Sequence, residues 1–264
     1  MACDLSLEEY LLQKEKLFTE SPSWSYENQE EWRAFPNFYS TLKLPINIDT
    51  NRTVPGEISI DINYEKNATG ILAVYKKTIF FFPTESNNFV TYNDKNYKFI
   101  GFHIHQSSEN TINNLFYPIE IHFVNEYVNP ITKVIDYVVI ALLFAHTNGE
   151  GAEITNLDYR SLFQGNEIPI TFDLSIFNNL PINKHYNFPG TLTSPPFNQN
   201  TNFFLFEPKD VKTTNLVIND NFFDTLKYFF ISNKANILAP VNESRYLTDN
   251  NYIAIKTVNC CNNH

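Results

Sequence analysis

The amino-acid sequence predicts a single domain of the α+β class, built mainly of β-strands, and three observations carry that prediction. Phe and Tyr, whose rings pack well on a pleated surface, number 24 and 15 among 264 residues. Between residues 57 and 145 strand-like runs succeed one another, and in Phe102–His105 and Ile119–Val124 apolar and polar side chains alternate with period two. Turns rich in Asn, Asp and Lys, such as Tyr92-Asn93-Asp94-Lys95-Asn96, separate these runs. No linker rich in Gly, Pro or Ser divides the chain, and with 43% hydrophobic residues it can bury a full core.

Taken in order, residues 5–18 place Leu7, Leu11 and Phe18 near one helical stripe with charges opposite. Residues 1–20 therefore read as an amphipathic helical extension that docks on its own domain or on another subunit. The domain is expected over 21–258, followed by a polar tail at 259–264. A polar segment with Pro22, Trp24, Tyr26 and Trp32 leads through Phe35-Pro36 to an expected strand at 44–49. Further strands are expected at 58–64, 70–75, 78–82, 97–105, 118–126 and 135–144. The last contains Val138-Val139-Ile140-Ala141-Leu142-Leu143-Phe144, apolar on both faces and therefore central. Residues 155–164 read as a short helix and 173–180 as helix or 3₁₀ turn. A polar loop leads to Gly190-Thr191-Leu192-Thr193-Ser194-Pro195-Pro196, and a strand is expected at 202–206. A final helix, capped by Asn219 or Asp220, runs through Phe222, Leu226, Tyr228 and Phe229.

Charge and cysteine usage narrow the function. The net charge of −10 argues against nucleic acid, anionic membranes or sulfated glycans as the main partner. Cys3, Cys260 and Cys261 lie near the ends of the chain, where they build neither a core disulfide nor a metal cage, which suits a reducing compartment. The first residues lack the basic, apolar and small-residue regions of a signal peptide. No apolar run approaches the roughly 20 residues that span a bilayer. A soluble, cytoplasmic protein is the expectation, with a virion or secreted location left open. The N-terminal helix and the terminal cysteines are candidate routes to a homo-oligomer.

The chemistry concentrates in Phe102-His103-Ile104-His105 and Ile119-Glu120-Ile121-His122-Phe123-Val124. Read as strands, these put His103 and His105 on one face, and Glu120, His122 and Val124 on one face of the second run. The intervening loop is long enough to pair the two strands antiparallel, so three imidazoles converge. A lone buried His is more often a hydrogen-bonded core residue than a ligand, but here three of the six histidines share one hairpin. Three protein nitrogens with an open fourth position suit a catalytic zinc. Such an ion acidifies a bound water, and Glu120 is placed to orient His122. A bound hydroxide also needs aiming, and Thr193 with Glu109 is a candidate relay. On spacing alone the Thr191–Pro196 run reads as an ordinary turn.

The order of Phe-His-Ile-His, Ser-Glu-Asn-Thr, Ile-Glu-Ile-His-Phe-Val and Gly-Thr-Leu-Thr-Ser-Pro-Pro resembles the α-class carbonic anhydrases. The likeness is traceable from about Trp24 to Pro240. It implies a large central, mostly antiparallel twisted sheet with short peripheral helices and the zinc at the bottom of a conical cleft. It implies His103, His105 and His122 as zinc ligands and Glu120 as the carboxylate behind the third. It further implies Thr193 as the hydroxyl orienting a zinc-bound hydroxide and Glu109 as its acceptor, with Ser194 keeping a hydroxyl beside them. Val124, Leu192 and Val139 or Ile140 match the apolar wall that holds CO₂. The activity implied is reversible hydration of CO₂ to bicarbonate and a proton, with anions and sulfonamides as inhibitors.

Departures from the family pattern shape the expectation. Gln106-Ser107 stands where Trp-Gly is usual, Gly101 replaces the Gln that supports the first ligand, and the loop to Glu109 is short. Such changes are expected to weaken metal retention by roughly one to two orders of magnitude. The proton-shuttle His aligns with Thr78, while His146 and His185 read as surface or packing residues. Slow, buffer-assisted turnover is expected. Phe197 stands where secreted bacterial relatives have a cysteine, so their disulfide is absent. The competing reading is an inactive carbonic-anhydrase-like binding protein. Such proteins typically lose zinc histidines, and this chain keeps all three. Hydrolysis of small activated esters is a third reading, as a side reaction of the same site.

Overall fold

Strand pairing fixes where the side chains of His103, His105, Glu120, His122, Val124, Val139 and Ile140 point. The computed structural model describes residues 24–38, 44–56, 58–76, 78–84, 87–146, 167–180, 185–208, 217–218, 224–227 and 255–257. The helices expected at 5–18 and 155–164 and the tail at 259–264 lie outside these residues. Of the last expected helix, one turn at 224–227 is described, with Leu226 buried.

The first half of the chain supplies β1 (Asn47–Ile48), β2 (Val54–Gly56), β3 (Asp61–Asn63), β4 (Ala68–Tyr75) and β5 (Thr78–Pro83). β6 (Phe89–Tyr92) and β7 (Lys95–His105) form a hairpin in which Tyr92 faces Lys95. Its two turn residues, Asn93 and Asp94, have φ of 48° and 58°, the left-handed pair that a tight hairpin demands. Then follow β8 (Thr111–Ile112), β9 (Ile119–Val128), β10 (Ile135–His146), β11 (Ile168–Phe172), β12 (His185–Gly190), β13 (Thr201–Phe206), β14 (Val217–Ile218) and β15 (Ile255–Thr257). A 3₁₀ segment covers Tyr26–Ala34, and a second, Leu174–Phe177, sits in the region expected to be helix or 3₁₀.

Among the described residues one twisted, mostly antiparallel sheet runs β11-β4-β5-β7-β9-β10-β13-β12-β15-β2. β10 is central and buried on both faces, as its apolar run requires. Several short strands fall outside the expected ranges, and two longer ones, β12 and β11, are informative. The polar loop before Gly190 is strand β12. Its His185 and Asn187 are buried, and the Asn187 amide donates to the Phe203 carbonyl at 3.0 Å. β11 contains Pro169, and it lies at the sheet edge, where a missing N–H costs no ladder bond.

The sheet divides the core by side-chain parity. On one face, Phe102, Ile104, Ile121, Phe123, Val138 and Ile140 join the larger apolar cluster. On the other, Val139, Ala141 and Leu143 pack with Phe203, Leu205 and Phe188. A third cluster of Trp32, Phe35, Phe38 and Phe197 lies apart from both. Phe197 is fully buried although its φ is 58°, a conformation that costs a non-glycine residue on the order of 1–3 kcal/mol. Edge-to-face contacts with Trp32, Phe35 and Phe38 hold it there. The ring ties the Tyr26–Ala34 segment to the Thr193-Ser194-Pro195-Pro196 turn. Phe197→Ala is therefore expected to cost about 3–5 kcal/mol in urea unfolding. A loss under 1 kcal/mol would show that the cluster is not a tether.

Candidate metal centre

β7 and β9 pair antiparallel with His103 opposite His122 and His105 opposite Glu120. Directly opposed residues project to the same face, so three imidazoles and one carboxylate meet on the side away from the larger core. Their ring centroids lie 4.5 to 5.1 Å apart. All three rings are buried, and one nitrogen from each lies within 4.8 Å of the others.

Each ring is held differently. His122 Nε2–H donates to Glu120 Oε1 at 2.7 Å, which turns the Nδ1 lone pair inward. That Nδ1 lies 3.2 Å from His105 Nε2. His105 Nδ1 lies 3.5 Å from Glu109 Oε1, and Glu109 Oε2 is 4.0 Å from His122 Nδ1. His103 is stacked by the Phe80 ring at 4.9 Å, its strand partner on β5. Among the described residues neither ring nitrogen of His103 has a hydrogen-bond partner, although the residue is only 8% exposed. Burial, helped by the nearby His122, pushes the His103 pKa well below its usual 6.5. For His122 burial also pulls downward, but the Glu120 carboxylate outweighs it and, with Glu109, raises the pKa.

This donor set fits a metal. An unpartnered buried nitrogen costs free energy unless something accepts its lone pair, and three neutral imidazoles suit a borderline-soft cation such as zinc. Two nitrogens on a tetrahedral zinc, at bonds of roughly 2.0–2.1 Å, stand about 3.3 Å apart. The 3.2 Å between His105 and His122 matches that spacing.

The remaining candidates are placed as follows. Val124 and Val139 are direct partners across β9 and β10, and both, with Leu192, belong to the apolar cluster on the histidine side. Ile140 is corrected: it points into the larger core, because neighbouring strand residues face opposite sides. Thr193 is 5% exposed and Ser194 half-buried in a turn where Leu192 N–H donates to the Asn198 carbonyl. Among the described residues no hydrogen bond joins Thr193 to Glu109. Neither His146 nor His185 joins the cluster; His185 packs against Phe204 and Phe206. The sequence reading missed Asn110, whose main-chain and side-chain N–H groups both donate to Glu120. Its only signal was a place in the Ser-Glu-Asn-Thr run.

A family model described as eukaryotic-type carbonic anhydrase matches residues 27–229. The chain belongs to that family. It is 28% identical over 200 residues to a carbonic anhydrase of Neisseria gonorrhoeae, covering 71% of this chain and 75% of that one. Its fold is similar to the α-carbonic anhydrase of Thermovibrio ammonificans solved with the inhibitor sulfanilamide, with a TM-score of 0.65, 18% identity, and 89% and 100% of the two chains covered. It is also similar to dioscorin complexed with ascorbate, with a TM-score of 0.67, 18% identity, and 90% and 99% covered. At these identities the two structures establish the fold alone.

Within this carbonic anhydrase fold, Gly101 has a local cause. The β7–β9 register shifts between Phe99 and Gly101, and Gly101 has φ of 143°. A Cβ there would meet the Phe81 carbonyl oxygen of β5. Gly101→Gln, which restores the usual family side chain, is therefore expected to lower stability by roughly 2 kcal/mol or more. An unchanged melting temperature would contradict that account.

The histidines also set a pH dependence in protein stripped of metal by a chelator. His103, with its folded pKa depressed, contributes stability above the unfolded value of 6.5 that is lost as pH falls below it. His122, with its folded pKa raised, contributes stability below 6.5 that is lost as pH rises through the folded value. In urea midpoints taken across pH, His103→Asn should flatten the decline below pH 6.5, and His122→Asn should flatten the decline that accompanies a rise above pH 6.5.

Proposed function

We propose that the chain catalyses the reversible hydration of CO₂ to bicarbonate and a proton, using zinc held by His103, His105 and His122. The observation that supports this is the convergence of three buried imidazoles with both His103 nitrogens unpartnered among the described residues. Zinc bound there supplies Lewis acidity that makes hydroxide available near neutral pH; the value of about 7 is the one known for carbonic anhydrases themselves. Glu120 holds the His122 ring and its tautomer. Val124, Val139 and Leu192 form an apolar wall that excludes water and accepts CO₂ beside the ligands. Thr193 is assigned the hydroxyl that orients the nucleophile and Glu109 its acceptor, on the strength of the family motif. Ser194 adds a hydroxyl at the same turn.

Proton export is the slow part of this proposal. Thr78, which aligns with the shuttle position, is fully buried and donates to the Ile104 carbonyl at 2.6 Å. A hydroxyl committed to a main-chain acceptor does not carry protons to bulk water, so buffer must do so. Sulfonamides are proposed as inhibitors, by analogy with the complex of the Thermovibrio ammonificans protein.

Zinc analysis with stopped-flow CO₂ hydration tests the reading. One equivalent of zinc and a rate that climbs severalfold with imidazole concentration are expected. His122→Ala should lose both zinc and hydration. Stoichiometric zinc without hydration would replace the enzyme by a metal-containing binding protein. Fast hydration insensitive to buffer would overturn the missing-shuttle argument.

A further inference from the structure

We infer that Asn110 is a positioning residue for the metal centre, fixing the Glu120 carboxylate and, through it, the His122 ring. The inference rests on the zinc reading of the three histidines. Asn110 lies between β7 and β8 and is fully buried. Its main-chain N–H donates to Glu120 Oε2 at 2.8 Å, and its side-chain amide donates to Glu120 Oε1 at 2.6 Å. Its Oδ1 accepts the Ile46 N–H at 3.0 Å, and its carbonyl accepts the Ser108 hydroxyl at 2.7 Å. Every polar group of Asn110 is engaged.

The last torsion of a Glu side chain is soft, so a carboxylate with one partner turns readily. Here one residue grips both oxygens, while Oε1 also receives His122 Nε2–H at 2.7 Å. Among the described residues the Glu120 carboxylate has no further hydrogen-bond partner. The amide of Asn110 is itself fixed, since its oxygen must accept from Ile46 and its nitrogen must donate to Glu120. A line of bonds therefore runs from the Ile46 main chain through Asn110 and Glu120 to the third ligand. Groups that orient a ligating His typically change metal affinity 10- to 100-fold when removed, and Asn110 takes that role at one remove.

The test is zinc affinity and zinc release to a chelator, measured for N110S in the wild-type and E120Q backgrounds, with the melting temperature of each protein recorded. N110S should weaken zinc binding about 10- to 100-fold and speed release correspondingly. In E120Q the same substitution should change affinity by less than about threefold, because the pair acts as one unit. Asn110→Asp keeps the acceptor for Ile46 but sets a second carboxylate against Glu120, so it should lose zinc more severely. It carries the test where N110S does not fold. Wild-type zinc affinity in either folded variant, or a full multiplicative loss in E120Q, overturns the inference and leaves Asn110 a structural residue. A wild-type protein that takes up no zinc overturns the metal reading itself, which is a different result.

Discussion

The pairing register of β7 with β9 is the constraint on which the rest of this molecule depends. Because strand side chains alternate, a slip of one residue would send His122 into the larger core and Phe123 toward the ligand face. The histidines themselves do little to choose the register. Phe102, Ile104, Ile121 and Phe123 choose it, each worth roughly 1.5–3 kcal/mol when buried. The tight Asn93-Asp94 turn sets the β6–β7 pairing that flanks β7, and the irregularity at Gly101 sets where the ligand half of that strand begins. The metal centre is thus aimed by the apolar face that it does not share.

Aiming alone leaves a cost on the other face. Glu120, His122, Asn110 and His103 are polar groups withdrawn from water, and each is unfavourable there without a partner. Three of them solve this among themselves, through bonds of 2.6 to 2.8 Å that converge on Glu120, with the Ile46 N–H donating to Asn110 Oδ1 at 3.0 Å. His103 does not take part. Its two nitrogens are unpartnered among the described residues, and a cation shared with His105 and His122 would satisfy one of them. On the proposed zinc reading, stability and function are therefore linked at a single ring.

What the sequence discloses follows from which of these effects leave a periodic trace. The ligand strands alternate cleanly, so the hairpin, the three histidines and Glu120 are legible from parity and spacing. The same parity separates Val139, which faces Val124, from Ile140, although the sequence reading left the two as alternatives. β12 was hidden because His185 and Asn187 look like loop residues until the Phe203 carbonyl supplies a partner inside the sheet. Asn110 was hidden for a related reason. Its importance lies in a bond to Ile46 across 64 positions, and such long-range polar satisfaction has no local pattern. The Thr193–Glu109 relay was read from motif alone, and no hydrogen bond joins the two among the described residues.

The missing Gln at 101 and the ring stacked on His103 are two consequences of one strand pairing. β5 lies so close to β7 that the Phe81 carbonyl occupies the space of a Cβ at Gly101. That excludes any side chain which could hydrogen-bond the first ligand from this position. The same approach sets Phe80 opposite His103 and lays its ring against the imidazole at an interplanar angle of 28°. Stacking fixes the plane of His103 as a hydrogen bond would, but it exerts no preference for one tautomer. The three ligands are consequently unequal. His122 is fixed in plane and tautomer by a buried carboxylate, His105 stands beside Glu109, and His103 is fixed in plane only. A metal held by the three, as proposed, would have to select the His103 tautomer, which would make this ring the place where affinity is most easily lost and where the departure from the family pattern acts.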